Sequence, residues 1–324
     1  MIEELFTDLF RIEIPLPQSP LKTLNAYVIK DPNRNLLIDT GFNRKECLEA
    51  MQDGLRELSV DLGKTDIFIT HLHADHFGLV SKLTGKSCRV YFNRPEMELI
   101  ESFEGFHTMI EYAGRNGFPE DQLEAALSRH PANLYGSDWL PELSLLDDRD
   151  TIDCGPYHLQ CVSTPGHTAG HTCLYEADKK IFISGDHILD DITPNIQCWM
   201  DEQNPLKEYL ESLDKVAKLE VDRVLPGHRR LIKDHRARIA ELKDHHKQRL
   251  QEILVILEQG RMNAFQIASK MTWDIVAESW DDFPVSQQWF ATGEAISHLK
   301  YLEKEEKIIQ EEENTIIRYK LRNP

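Results

Sequence analysis

The sequence predicts an α+β fold, in which two β-rich segments are separated by a helix-rich stretch and followed by a mainly helical tail. Short β-branched and aromatic runs that end in turn residues indicate strands in both segments. Over residues 93–147 the strand pattern is interrupted by a stretch rich in helix formers. With 324 residues, of which 41% are hydrophobic, the chain can form one large domain and a small second one.

The strands and helices of the two segments can be located from their periodicity. The first segment has an amphipathic pattern that predicts a helix over residues 44–58, and runs that predict strands over residues 10–14, 24–29, 35–39, 66–70 and 89–92. The second segment predicts a helix over residues 206–218, and strands over residues 152–162, 172–175, 180–184 and 221–225.

The pattern changes after residue 232, which indicates a second domain. The tail predicts one long helix, two shorter helices and two strands, over residues 233–259, 264–271, 287–304, 308–311 and 315–319. This order of elements is that of a winged helix. We therefore expect a main domain over residues 1–232 with a helical insertion over residues 93–147, and a winged-helix-like domain over residues 233–324.

Charge and targeting patterns narrow the partners and the compartment. The chain has 55 acidic and 37 basic side chains and a net charge of -18, which repels polyanions, so we do not expect nucleic acid as a partner. The first residues lack the pattern of a secretory signal and no apolar run reaches the length of a membrane span, so we expect a cytoplasmic protein without membrane contact. Six cysteines without a C-x-x-C pair indicate reduced, structural thiols.

A dense group of ligand-type residues follows the strand predicted at residues 66–70. His71 and His73 occupy alternate positions and point to the same side of an extended segment, whereas Asp75 and His76 follow on a tightening turn. A single histidine is more often an ordinary residue than a ligand. Four ligand-type side chains in the pattern H-x-H-x-D-H, directly after a β-branched strand, predict a metal site.

Three further strand ends carry a ligand-type residue. His167 follows a strand on a loop that contains Pro165 and Gly166, Asp186 follows Gly185, and His228 follows Gly227. We expect His171 and His187 to be either hydrogen-bond partners of the ligands or residues that pack the loops. Most of the other histidines are expected to be ordinary surface residues: His107, His130, His158, His235, His245, His246 and His298.

Five ordered motifs between residues 39 and 228 together resemble the metallo-β-lactamase superfamily, and within it the glyoxalase II-like hydrolases. The resemblance implies an αββα sandwich with the site at one edge of two packed sheets. The motifs are Asp39 in Leu37-Ile38-Asp39-Thr40-Gly41, the H-x-H-x-D-H block, Gly166-His167, Gly185-Asp186 and Gly227-His228.

The resemblance also implies two divalent metal ions and their ligands. His71, His73 and His167 would hold one ion, Asp75, His76 and His228 the other, and Asp186 would bridge both. Asp39 would orient the ligands, or it would only cap the turn that follows its strand. Imidazole and carboxylate ligands favour Zn²⁺, and Mn²⁺ or Fe²⁺ is tolerated.

The expected activity is hydrolysis of an ester, a thioester or a lactone in a small-molecule substrate by a metal-bound hydroxide, with Asp75 also accepting a proton. Asp186 stands where zinc β-lactamases generally carry a cysteine, which argues against antibiotic hydrolysis. One alternative is a phosphodiesterase or endoribonuclease, which relatives with the same tail suggest and the acidic charge opposes. Another is a non-enzymatic binding protein that retains the fold, which the seven intact ligands oppose.

The insertion and the tail each have two interpretations. Residues 93–147 would form a lid whose apolar side chains line a pocket for an acyl group. Alternatively, these side chains only pack the insertion onto the sandwich. The apolar side chains are Phe103, Phe106, Met109, Tyr112 and Trp139. The acidic residues of the third tail helix and of the wing tip would face and repel phosphates; they are Glu294, Glu303, Glu305 and Glu306, and Glu311-Glu312-Glu313. The tail is therefore expected to pack against the main domain or against a second copy in a homodimer.

Overall fold

The structure is a computed structural model that describes residues 1–85, 87–102, 106–274 and 277–322. Phe103, assigned above to the lid, lies outside these described residues. The chain forms two compact units, each built from three segments. Unit 1 contains Met1–Ser102, Pro131–Pro194 and Asp214–Ile239, and unit 2 contains Phe103–His130, Asn195–Leu213 and Ala240–Pro324.

Unit 1 contains two β-sheets. The larger sheet has seven strands in sequence order, antiparallel from the first to the fourth and parallel from the fourth to the seventh: β1 (Ile2–Phe6), β2 (Leu9–Pro15), β3 (Thr23–Ile29), β4 (Asn35–Ile38), β5 (Thr65–Phe68), β6 (Val90–Asn93) and β7 (Leu143–Leu146). The smaller sheet has the order β12-β11-β10-β9-β8, with β8 (Thr151–Cys154), β9 (Tyr157–Ser163), β10 (Thr172–Glu176), β11 (Ile181–Gly185) and β12 (Arg223–Pro226).

The two faces of the larger sheet are buried by different partners, as the alternation of side chains along a strand requires. Tyr27 and Ile29 of β3 share a buried apolar cluster with Leu174 and Ile183 of the smaller sheet, so the two sheets pack face to face. Alternate residues of β2 and β3 point the other way, onto helices whose buried side chains include Met51. Five α-helices lie wholly within unit 1: α1 (Lys45–Glu57), α2 (Ala74–Phe77), α3 (Val80–Leu83), α4 (Arg94–Glu101) and α7 (Pro131–Tyr135).

Unit 2 is mainly helical and has its own apolar core. Trp199 stacks on Trp289 with ring centroids 3.9 Å apart, and Phe118 packs edge-on against Trp289. The unit contains α5 (His107–Arg115), α6 (Glu120–Ser128), α10 (Ala264–Ala268), α11 (Val285–Lys304) and the hairpin β13 (Ile308–Glu313) and β14 (Ile316–Leu321). Two helices have residues in both units: α8 (Pro205–Val216) and α9 (His235–Leu257).

The secondary structure agrees with most of the predicted elements and adds two strands. β1 was not predicted, and β7 lies inside the stretch of residues 93–147 that was interpreted as helical. β7 has only four residues, too few for a two-residue alternation to stand out against helical neighbours. The run at residues 152–162 forms two strands, β8 and β9, joined by a tight turn.

The apolar side chains of the predicted lid have different environments. Tyr112 is buried in the core of unit 2, and Phe106 and Met109 pack against that core. These three residues are therefore packing residues, but they pack in the core of unit 2 and not onto the two-sheet sandwich, as the packing interpretation had expected. Trp139 belongs to unit 1, where half of its surface remains exposed.

The tail has the predicted order of three helices and a hairpin, formed by α9, α10, α11, β13 and β14. Its assignment as a winged helix, and the domain boundary after residue 232, stay predictions. The expectation that Glu294 faces phosphates was wrong: this side chain is buried in unit 2, where its Oε2 accepts a hydrogen bond from Asn195 Nδ2 at 2.8 Å. Most of α11 is buried, so acidic residues on it are not automatically surface charges.

In the part of the chain that the structure describes, no helix is both long and apolar enough to cross a membrane. The six cysteines form no disulfide with one another, and five of them are buried. Burial raises the pKa of the Cys154 and Cys161 thiols to about 12, so both stay protonated at neutral pH.

Candidate metal centre

The end of β5 places four of the predicted ligands close together. After β5 the chain bends over residues 70–72, and His73 is extended, with φ and ψ of -61° and 145°, directly before the first residue of α2. Asp75 and His76 then lie in the single turn of α2, and both are buried. The turn that carries Asp75 and His76 agrees with the prediction, whereas the segment that carries His71 is bent and not extended.

The smaller sheet supplies the other three ligands from the ends of its strands. His167 lies between β9 and β10, Asp186 directly follows β11, and His228 follows β12. Gly227, between β12 and His228, has no room for a side chain, because a Cβ atom there would lie 2.6 Å from Asp186 Oδ1 and 2.8 Å from His76 Cε1. The backbone therefore approaches the centre as closely as only glycine permits.

All seven predicted ligands meet in three overlapping groups of ligand atoms, and within each group the atoms lie within 4.8 Å of one another. The groups are His71, His73 and His167; His71, His76 and Asp186; and Asp75, His76 and His228. The structure thus brings together every residue that the motifs singled out for the site.

The first group consists of imidazoles that face one another. His73 Nδ1 lies 3.0 Å from His71 Nε2 and 3.0 Å from His167 Nε2. Burial, and then repulsion from neighbouring imidazoles, lowers the pKa of His71 well below its usual range and that of His73 to about 3. These rings are therefore neutral at pH 7, which is the form in which histidine binds a metal ion.

The other two groups share His76 and, without His71, are together called the second group, which combines imidazoles with carboxylates. His228 Nε2 lies 3.3 Å from Asp75 Oδ2 and 3.5 Å from Asp186 Oδ1, and His76 Nε2 lies 3.4 Å from Asp186 Oδ1. Asp186 Oδ2 lies 3.7 Å from His167 Nε2 of the first group. One oxygen of Asp186 therefore faces each group, as a bridging ligand requires.

The pKa values in the second group move against the effect of burial. Burial alone lowers the pKa of His76 and His228, but Asp186, Asp75 and, for His76, Asp39 outweigh it and raise the pKa of His228 to about 10. Burial likewise raises the pKa of Asp75, but His76 and His228 lower it to about 2. The two carboxylates thus stay ionised inside the protein and attract positive charge.

The donor set fits metal ions because its atoms are buried without ordinary partners. His76 Nε2, His228 Nε2 and Asp186 Oδ1 are inaccessible to water and make no hydrogen bond among the described residues. Unsatisfied buried polar atoms are costly, and three that face each other need a common partner. Imidazole nitrogens and carboxylate oxygens are ligands of zinc and of similar divalent ions.

Further residues hold the ligands in place from behind. Asp39 Oδ2 lies 2.8 Å from His76 Nδ1, while its Oδ1 accepts a hydrogen bond from the Thr70 backbone amide at 2.9 Å. His228 Nδ1 donates to the Thr23 carbonyl oxygen at 2.7 Å. Of the two interpretations of Asp39, the contact with His76 supports the one in which it orients a ligand.

Among the histidines outside the ligand set, His171 has one of its two expected roles, and three others differ from the prediction. His171 Nε2 accepts a hydrogen bond from the Asp186 backbone amide at 3.1 Å, so it supports the ligand loop directly. The prediction that most other histidines are surface residues was wrong for three of them, since His235, His246 and His298 are buried. Their helices provide no strand-end or motif signal that separates a buried histidine from an exposed one.

Sequence reasoning also missed a buried carboxyl group beside the centre. Glu96 in α4 is fully buried, and the Thr168 hydroxyl, one residue after His167, donates to its Oε1. The pattern Asn93-Arg94-Pro95-Glu96 is that of a helix start, and the Asn93 side chain indeed caps α4. That ordinary role conceals the position of the Glu96 carboxyl group.

Comparisons with known proteins agree with this fold and site. The chain is 25% identical over 326 residues to the "Probable metallo-hydrolase YqjP" of Bacillus subtilis, covering 97% of this chain and 98% of that protein. It is 25% identical over 214 residues to the human "Acyl-coenzyme A thioesterase MBLAC2", covering 63% of this chain and 72% of that protein.

Solved structures resemble the whole chain. The metallo-beta-lactamase family protein TTHA1429 from Thermus thermophilus superimposes with a TM-score of 0.84 at 28% identity, covering 98% of this chain and 100% of that one. The family model for the metallo-beta-lactamase superfamily matches residues 22–228, which contain both sheets except β1 and β2, and all seven predicted ligands. The chain therefore belongs to the metallo-beta-lactamase superfamily.

Proposed function

We propose that this protein is a dinuclear metal-dependent hydrolase of the glyoxalase II-like branch that acts on an ester, thioester or lactone of a small molecule. The observation that carries the proposal is the position of Asp186, whose Oδ2 lies 3.7 Å from His167 Nε2 and whose Oδ1 lies 3.4 Å from His76 Nε2 and 3.5 Å from His228 Nε2. His71, His73 and His167 would hold one divalent ion, and Asp75, His76 and His228 the other. Zn²⁺ suits these ligands best, with Mn²⁺ or Fe²⁺ as substitutes.

Two divalent ions at these positions supply Lewis-acid chemistry, since they polarise a carbonyl group and lower the pKa of water. The residues of the chain hold this chemistry in place. Asp186 keeps its carboxylate between the two groups because His171 fixes its backbone amide. Asp75 has a carboxylate oxygen, Oδ2, at the second group, where it can accept a proton during hydrolysis.

The substrate class is supported by a relative and by charge. The human relative named an acyl-coenzyme A thioesterase favours thioesters as the substrates of this chain. The net charge of -18 disfavours a polyanionic substrate such as an oligonucleotide. A phosphodiesterase or endoribonuclease remains the second candidate because it would use the same centre.

A substrate panel tests the proposal. Metal-replete protein is assayed with matched ester, thioester, lactone and phosphodiester substrates, in parallel with Asp75→Ala and Asp75→Asn variants. We expect thioester or ester hydrolysis, and a loss of about 100-fold or more in kcat for both variants, because each removes the proton acceptor. A preference for phosphodiesters over every ester tested would select the alternative, and near-wild-type turnover of Asp75→Ala with both ions bound would remove Asp75 from the mechanism.

We also propose that the tail over residues 233–324 is a winged-helix module that packs within the protein or in a homodimer and does not bind nucleic acid. Its wing carries exposed acidic residues, among them Glu312 and Glu313, and Glu305 and Glu306 lie exposed at the end of α11. Tight binding of duplex DNA at physiological salt would contradict this.

Reduced, mostly buried cysteines are consistent with a cytoplasmic protein.

A further inference from the structure

A buried carboxyl group that the proposed reaction does not use lies next to the ligand loops. Glu96 is in the first turn of α4, where its backbone amide donates to Asn93 Oδ1 at 3.0 Å. The side chain has no exposed surface, and no basic group among the described residues forms an ion pair with it. Burial of a carboxyl group without a cation is costly, so its retention needs a reason.

The contacts of Glu96 join two segments that carry proposed ligands. The Thr168 hydroxyl donates a hydrogen bond to Glu96 Oε1, and Thr168 directly follows His167. On the other side, the backbone of Leu72 interacts favourably with the ionised carboxyl group, and Leu72 lies between His71 and His73. Glu96 is thus hydrogen-bonded to the loop of His167 and interacts electrostatically with the loop of His71 and His73.

The fit between α4 and the His167 loop is tight. A Cβ atom on Gly170 would lie 2.0 Å from Asn93 Oδ1 and 2.7 Å from Glu96 Cγ, so the loop backbone packs directly against the first turn of the helix. The backbone amide of Thr172 donates to the Thr70 carbonyl oxygen at 2.9 Å and joins the same two segments at their base. The hydrogen bond between Thr168 and Glu96 adds a side-chain connection to this backbone connection.

The electrostatics of Glu96 agree with a buried connecting role. Burial raises its pKa to about 7, while hydrogen bonds from Thr168 and from the backbone of Leu72 and Gly170 oppose that rise. Its Oε2 has no hydrogen-bond partner among the described residues. An apolar residue would fill this space at lower cost, but it could not hold the Thr168 hydroxyl.

We propose that Glu96 is a positioning residue that fixes the His167 loop against the His71–His73 loop and thereby sets the geometry of the three-histidine group. The inference rests on the proposed function, in which that group holds a metal ion. Residues that orient metal ligands from behind typically change metal affinity by about 10- to 100-fold when they are replaced. We expect Glu96 to fall in that range, with its effect confined to one of the two metal positions.

The experiment uses Co²⁺ as a spectroscopic probe in the full-length protein. Cobalt absorption reports the geometry around each bound ion, and titration gives the affinity of both positions without any assay of activity. Glu96→Ala and Thr168→Val remove the connection from either side, whereas Glu96→Gln and Thr168→Ser keep an acceptor and a donor. Glu294→Ala is the matched control, since Glu294 is also a buried helical carboxyl group whose pKa is raised to about 7, and it belongs to unit 2.

We expect Glu96→Ala and Thr168→Val to weaken cobalt binding at one position by about 10- to 100-fold and to change its spectrum. Glu96→Gln and Thr168→Ser should retain most of the affinity, and Glu294→Ala should lose stability in thermal unfolding but bind cobalt as the wild type does. Wild-type spectra and affinities in both Glu96→Ala and Thr168→Val would overturn the inference. If Glu96→Ala does not fold, Thr168→Val alone decides. Failure of the wild-type protein to bind two equivalents of cobalt would instead refute the proposed function, and the inference with it.

Discussion

Unit 1 and unit 2 both bury histidine and acidic side chains in an apolar core, but they satisfy them differently. In unit 2, His298 uses both ring nitrogens: Nδ1 lies 2.8 Å from the Glu294 carbonyl oxygen and Nε2 lies 3.1 Å from His246 Nδ1. The Glu294 carboxyl group accepts a hydrogen bond from Asn195. In unit 1, polar atoms of three ligands face one another without hydrogen bonds among the described residues. Both units therefore bury histidine and acidic side chains. The ligand atoms that face one another without hydrogen bonds are in unit 1.

The pKa values of buried groups in unit 2 also differ from those in the carboxylate-containing part of the centre in unit 1. In unit 2 they follow burial, which raises the pKa of Glu294 to about 7 and lowers that of His298 to about 3, so both groups tend toward the neutral form. In unit 1, Asp75 and His228 keep their charges in spite of complete burial, since opposite charges lie within 3.3 Å. Charge retained against burial marks the carboxylate-containing part of the centre, whereas His71 and His73 in the same centre are neutral, as the buried groups of unit 2 are.

The largest expected effect comes from removing the residue that faces both metal positions. Asp186→Ala should reduce the metal content below two ions per chain and lower kcat/KM by about 1000-fold or more, because a bridging carboxylate and several kcal/mol of electrostatic stabilisation are lost together. Elemental analysis and kinetics measure the two effects.

His298→Ala is the control in unit 2, where it truncates a buried histidine that has hydrogen-bond partners. It should lower stability and leave the metal content at two ions. Two ions bound to Asp186→Ala, or metal loss from His298→Ala, would break the distinction drawn between the units.

A second prediction concerns pH and belongs to unit 2. The folded-state pKa of Glu294 is raised from 4.5 to about 7, so its contribution to stability is fully present below pH 4.5 and is lost as the pH rises to 7. Glu294→Gln cannot ionise and keeps an oxygen for Asn195. It should therefore exceed the wild type in free energy of unfolding by up to about 3 kcal/mol at pH 8, and match it near pH 4.5.

Urea unfolding of the variant and the wild type at each pH measures this difference in free energy of unfolding. Both proteins share the other titratable groups, so the contributions of those groups cancel in the difference. The exposed Glu305→Gln is the control and should show no pH-dependent gain. An equal difference between variant and wild type at both pH values would mean that Glu294 is ionised at neutral pH, so that unit 2 also retains a charge against burial.

A third prediction sharpens the role of Asp39 behind His76. Asp39 has a positive φ of 60°, a conformation that asparagine also tolerates, so Asp39→Asn removes the charge without adding backbone strain. We expect about 10- to 100-fold weaker metal binding in a chelator competition. Asp153→Asn breaks a histidine–carboxylate contact of similar length, 2.7 Å, on the surface, and it should leave metal affinity unchanged. Equal metal affinities of the wild type, Asp39→Asn and Asp153→Asn would show that Asp39 only caps the turn after its strand and does not orient His76.

The fold and the site were predictable from sequence to different depths. Ligands on loops after strands could be identified because strand ends at one edge of a sheet meet in space and the motif spacing is dense. Glu96 and His298 could not, because their helices carry no pattern that relates them to a partner distant in sequence. The short strand β7 was missed for lack of length, and the assignment of Glu294 to the surface failed because α11 is buried on most sides.

The lid prediction shows the same limit, since it treated as one group side chains that belong to different units. Tyr112 packs in the core of unit 2, whereas Trp139 in unit 1 is 51% exposed, and Leu134 and Leu140 in the same stretch of sequence are also exposed. Helical periodicity alone cannot decide which aromatic residues become core, because this depends on which segments pack together.

The smallest expected effect tests what this exposed apolar segment does. The segment over residues 134–140 begins in α7, which packs against α2, the helix that carries Asp75 and His76. In addition, the Asn43 backbone amide donates to the Tyr135 carbonyl oxygen at 3.0 Å. If it contacts the acyl group, Trp139→Ser should lower kcat/KM about fivefold for a long acyl thioester and leave an acetyl thioester unchanged, because only the long chain buries methylene groups against the ring. Val255→Ser, at a similarly exposed apolar side chain of unit 2, should change neither. An unchanged dependence on chain length in Trp139→Ser would show that the substrate does not reach the segment, and acyl selectivity would then have to come from residues closer to the seven ligands.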